Sequence, residues 1–102
     1  MIKHIVMFKM LLNSNGNTAN QNAAIAKEKL DKLPSLIPEI KSWEVGININ
    51  PSDKSFHLVL SSEFKDDEAL KRYKNHPEHI AVLDFFNKVR DKTHYVDYEI
   101  QY

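Results

Sequence analysis

The stretch RYKNHPEH, residues 72–79, sets a tyrosine and two histidines around a proline. Those residue types suit proton transfer. A neutral imidazole accepts a proton near neutral pH, and a phenol hydroxyl steadies a developing oxyanion. Pro77 fits the first position of a helix, where its missing N–H costs nothing, with His76 or Asn75 as the N-cap. At about 100° per residue, His79 falls in one stripe with Val82, Leu83, Phe86 and Val89. An imidazole in that apolar stripe, at the positive end of the helix dipole, is expected to be neutral. His79 is therefore the candidate base and Tyr73 the candidate hydroxyl. A structural reading competes: a buried histidine at a helix start often bonds a backbone carbonyl, and tyrosine is common core material with a polar handle. His76 and His79, three apart, have no third ligand nearby in sequence, so no metal site is expected.

The elements that must position these groups follow from periodicity. Ile2, His4, Val6, Phe8 and Met10 alternate with Lys3, Ile5, Met7 and Lys9, which predicts a strand and puts His4 on its helix-facing side. NSNGN, residues 13–17, reads as a loop. Asn17 or Thr18 caps a helix whose Ala19, Ala23, Ala26, Leu30 and Leu33 share one face, with Pro34 ending it. A strand over about 40–49 sets Trp43, Val45, Ile47 and Ile49 on one side. The next, about 55–64, sets Phe56, Leu58, Leu60 and Phe64 against His57, Val59, Ser61 and Glu63. DDEALKRYKN forms a short helix with Ala69, Leu70 and Tyr73 together, and a longer helix runs from Pro77 to about Asp91. A strand over 93–101 closes the chain, with no particular role for His94.

The order β-α-β-β-α-β is the split βαβ arrangement. It implies one α+β domain over residues 1–102, an antiparallel sheet with helices on one face. The other face carries Ile5, Met7 and Val59, and a second copy of the chain is the economical cover, with His57 expected to meet it. Fourteen basic and fourteen acidic side chains cancel, which argues against a nucleic-acid binder. There is no cysteine, so no disulfide frame and no thiolate zinc site. The opening MIKHIVMFKM is broken by Lys3, His4 and Lys9, too interrupted for a signal or membrane segment, and a cytoplasmic protein is expected.

MIKHIVMFK at the start, IPEIKSWEVGIN in the middle, YKNHPEHI and the closing VDYEI together resemble the stress-responsive A/B-barrel (Dabb) family, over essentially the whole chain. The resemblance implies a ferredoxin-like protomer and a homodimer whose two sheets form a dimeric α+β barrel. The wider group of such barrels includes haem-degrading monooxygenases. Some plant members of the family are polyketide cyclases that close a ring by an intramolecular aldol step. Their histidine and tyrosine correspond to His79 and Tyr73, and a first-strand histidine corresponds to His4. Their third-strand histidine has Leu58 at its place here. Many bacterial members have no established activity, and this compact chain, without a plant-type transit segment, reads as one of those.

The reading that follows is a homodimer binding a small, largely apolar molecule between sheet and helices, without cofactor or metal. His4, Leu58, Leu83 and Phe86 are its expected ligand contacts. The alternative is a cofactor-free cyclase or isomerase on a polyketide-like ligand, in which His79 takes a proton alpha to a carbonyl and Tyr73 steadies the enolate. A haem-linked monooxygenase is third.

Overall fold

The computed structural model describes residues 1–101. In chain order it comprises β1 (Ile2–Met10), β2 (Asn13–Ser14), β3 (Asn17–Thr18), α1 (Ala19–Asp31), a 3-10 turn (Leu33–Ser35), β4 (Ile40–Ile47), β5 (Leu58–Phe64), α2 (Asp67–Lys74), α3 (Pro77–Val89) and β6 (Arg90–Glu99). The four long strands form one antiparallel sheet in the order β4-β5-β1-β6, with the helices on a single face. This is the ferredoxin-like α+β arrangement.

Local chemistry sets most of the boundaries. The Thr18 hydroxyl accepts the Gln21 N–H while the Gln21 side chain accepts the Thr18 N–H, a capping box that starts α1. Asp66 accepts the Ala69 N–H to start α2, and His76 Nδ1 accepts the Glu78 N–H ahead of Pro77 to start α3. Pro34 has no N–H to continue α1, so the chain tightens into the 3-10 turn, which still buries Leu33.

Three segments differ from the periodicity reading. NSNGN is a small hairpin rather than a loop: Asn15 and Gly16 both take positive φ, 56° and 80°, as a two-residue primed turn requires. β4 stops at Ile47 and β5 starts at Leu58. Between them the side chains of Asn48, Asn50 and Ser52 bond neighbouring backbone groups and draw the chain away from the ladder. α3 ends at Val89 and β6 begins at once with Arg90, whose extended backbone (φ −87°, ψ 144°) turns helix directly into strand.

The core lies between helices and sheet. Phe8 stacks on Phe86 at 4.1 Å between ring centroids, Ala26, Leu30 and Leu60 belong to the same buried cluster, and Phe64 packs on Tyr73 at 4.8 Å. On the outer face Met7, Val59, Val96 and Tyr98 remain exposed.

Candidate functional site

The inner face of β1 presents His4, Val6 and Phe8 in sequence. Antiparallel pairing sets His4 opposite Asp97 and Val6 opposite Tyr95 on β6, and Val6 opposite Leu60 on β5. His4 is only 6% exposed. Its Nδ1 hydrogen-bonds the Asp97 carboxylate, and the Ser62 hydroxyl donates to its carbonyl at 3.0 Å. Lys74 Nζ lies 3.8 Å from the other oxygen of Asp97, so that carboxylate serves both groups.

Tyr73, in the last turn of α2, is almost wholly buried. Its ring centroid is 4.4 Å from that of His79 and 6.3 Å from that of His4. Burial pushes its hydroxyl well above the usual phenol range, so it stays protonated and able to donate. His79, in the first turn of α3, donates from Nδ1 to the Lys74 carbonyl at 3.0 Å. A carbonyl only accepts, so this bond fixes the proton on Nδ1 and leaves the lone pair on Nε2. In the same way the carboxylate of Asp97 holds Nδ1 of His4 as a donor. Two imidazoles thus flank one neutral phenol, each with Nδ1 tied and Nε2 available.

These groups sit at one end of a cavity of about 300 Å³ between sheet and helices. His4, Tyr73, His79, Leu83 and Phe86 all line it, and Leu58 does not. Leu58 pairs with Phe8 at the other end of the inner face and is consumed in the core; Leu60, two residues on, reaches the cavity instead. Periodicity placed both leucines on the correct face without showing which stretch of that face stays open. Asp97, Tyr95 and Arg90 were not anticipated as neighbours of the site. The alternation of β6 does put Tyr95 and Asp97 on one side, but only the pairing with β1 brings them to His4.

The remaining histidines have separate tasks. The His57 N–H donates to the Phe8 carbonyl at 2.8 Å and its Nδ1 accepts the Met10 N–H at 2.9 Å, which finishes the ladder at the end of β1. His76 is the α3 cap, and His94 lies beside Phe56 at 5.2 Å. A roomier cleft of about 800 Å³ lies at the His57 end, walled largely by the polar turn between β4 and β5. Its residues do not assemble a tied imidazole and a buried hydroxyl as those of the smaller cavity do. Among the described residues no three His, Asp or Glu side chains gather as metal ligands.

Burial pushes the His79 imidazole below its ordinary value of 6.5. The bond to Lys74 opposes that shift in part, and the charges of His4, Lys74 and His76 add to it. The unfolded chain therefore takes up this proton first. The stability involved is fully present above about pH 6.5 and is lost as pH falls through the folded value. His79→Gln should flatten the fall in urea-melt stability between about pH 7 and about pH 5. His57, also lowered by burial and by Lys9, contributes a residual slope of the same sign. A slope unchanged by His79→Gln would show that His79 is not held neutral by its surroundings.

The sheet order, the one-sided helices and the pocket between them define a ferredoxin-like α+β protein. The chain belongs to the stress-responsive A/B barrel domain family, whose pattern it matches over residues 2–100. An uncharacterised protein of Streptomyces coelicolor is 32% identical over 81 residues, 79% of this chain and 81% of that protein. A crystal structure from Bacteroides fragilis, of a dimeric protein of unknown function with a ferredoxin-like fold, is 32% identical and superposes with a TM-score of 0.81. That match covers 97% of this chain and 95% of the other. The hydroxynitrile lyase of Passiflora edulis, at 18% identity and a TM-score of 0.76 over 98% of this chain and 93% of its own, shares the fold.

Proposed function

We propose that the protein is a homodimer in which each protomer binds a small, largely apolar molecule in the cavity between sheet and helices. The observation that carries this reading is the cavity itself, apolar along Val6, Phe8, Val82 and Phe86 and polar at one end, where Tyr73 and His79 converge. A small number of placed polar groups on an apolar wall is the usual composition of a ligand site, and about 300 Å³ is the lower end of their size range. The dimer is supported by the exposed apolar residues of the outer face. Met7, Gly46 and Val59 line a shallow hollow there that a second sheet would fill. The dimeric Bacteroides fragilis relative supports the same assembly.

A second reading, proton abstraction alpha to a carbonyl, is favoured by the tie between His79 Nδ1 and Lys74, because it leaves Nε2 unprotonated beside a neutral phenol. His79 would take the proton and Tyr73 would donate to the enolate oxygen.

Both readings are tested with His79→Ala and Tyr73→Phe. A panel of small aromatic and aliphatic ketones is screened for binding by ligand-observed NMR, and deuterium uptake alpha to the carbonyl of propiophenone is followed in D2O. Binding lost in the variants while both still fold supports the pocket. Enzyme-dependent deuterium uptake that disappears in both variants supports the chemistry. Stability losses of about 1–3 kcal/mol, as when a buried acceptor is orphaned, with no ligand retained by the parent protein, would decide for a purely structural pair.

A further inference from the structure

The cavity has a second polar end that the His79–Tyr73 pair does not use. β1 and β6 run in regular register as far as Lys9 opposite Lys92, after which Met10 stands opposite Arg90 and Asp91 is left over. Unbroken alternation from Thr93 would send Arg90 to the outer face. The extra residue turns it back to the inner face beside Met10, a common use of a bulge, and Arg90 and Thr93 both line the cavity.

The hydrogen-bond partners of that guanidinium are neutral. Nη1 donates to the Thr93 hydroxyl at 3.3 Å and Nη2 to the Asn87 side-chain carbonyl at 2.8 Å. Among the described residues Arg90 forms no ion pair, whereas Lys74, the other cation on the cavity wall, is matched by Asp97. Arg90 is half-buried. A guanidinium has five N–H donors, so several remain for a planar anion, and a fork–fork pairing with carboxylate is the geometry it suits best. Arg90 follows His79 by eleven positions, the last just past the end of α3, roughly 16 Å along the helix axis. The wall between them is apolar: Phe8, Val82 and Phe86.

We propose that the ligand of this pocket is an elongated amphipathic monocarboxylate, its carboxylate held by Arg90 and its apolar chain lying along α3 toward Tyr73 and His79. This rests on the cavity being a ligand site. It adds the ligand's charge and its orientation. The carboxyl-terminal end of the α3 dipole also favours a cation at this position, so the test has to separate an anchor from a helix-end charge.

Decanoate and 1-decanol, matched in chain and differing in charge, are titrated calorimetrically against the full chain, Arg90→Gln and Arg90→Lys. Decanoate should bind the parent protein about ten- to a hundredfold more tightly than decanol, the range of a charge-assisted hydrogen bond. Arg90→Gln should remove that preference and leave decanol binding unchanged, and Arg90→Lys should restore part of it. Equal affinities of the parent for acid and alcohol would overturn the anchor while leaving the pocket standing, as would an acid preference that survives Arg90→Gln. Binding of neither probe would overturn both. The decanol titration also shows whether Arg90→Gln keeps its cavity, so a helix-end effect on stability cannot be mistaken for lost recognition.

Discussion

Phe86→Ala should lower the folding free energy by about 3–5 kcal/mol, the usual cost of truncating a buried phenylalanine. Phe86 is almost fully buried and stacks on Phe8 at 4.1 Å, and its loss would remove this ring contact between α3 and the inner face of β1. The existing cavity already occupies one side of the ring, so the space vacated would join it rather than collapse. Urea midpoints are the measurement. Leu83→Ala serves as the comparison, because Leu83 lines the same cavity but is only half-buried, and it should cost much less. Similar midpoints for Phe86→Ala and the parent protein would mean that α3 is not packed on β1 through this ring.

Met7→Asp should convert the proposed homodimer to a monomer at micromolar concentration. Met7 is at the centre of the outer face, on the inner strand β1 between Val59 of β5 and His94 of β6. Inside the protomer its side chain packs against little, being 42% exposed, so the substitution should leave the fold intact. In a sheet-on-sheet assembly the same position would be buried against the partner. A carboxylate without a counter-charge there costs several kcal/mol and appears twice by symmetry. Light scattering should fall from about twice 11.9 kDa to about 11.9 kDa with an unchanged far-ultraviolet circular dichroism spectrum. A parent protein that is already monomeric, or a variant that remains dimeric, would rule out assembly through this face. Loss of the circular dichroism signal would show instead that the protomer folds only when paired.

Much of the candidate site was legible without coordinates. His4, Tyr73 and His79 each fall on a buried face by a local rule: alternation in β1, and helical spacing in α2 and α3. Thr18, Asp66 and His76–Pro77 announce the three helix starts through backbone chemistry that spans at most three residues. The Asn15–Gly16 hairpin is equally readable, since both residues tolerate positive φ, although composition alone reads the run as a loop.

Local spacing thus sets the order of elements and the inward direction of the His–Tyr–His group. Its surroundings come from segments far apart in the chain. Asp97 meets His4 across 93 residues of chain, and no local preference encodes which residue of β6 stands opposite which residue of β1. The same pairing sets the bulge that turns Arg90 inward, and the helix packing selects Leu60 over Leu58 as cavity wall. Nor did the local pattern show which imidazole nitrogen is tied. His79 keeps its proton on Nδ1 because the end of α2 brings the Lys74 carbonyl to 3.0 Å. Periodicity acts within a few residues of chain. Register, cavities and tautomers are set by surfaces that meet after the chain has folded.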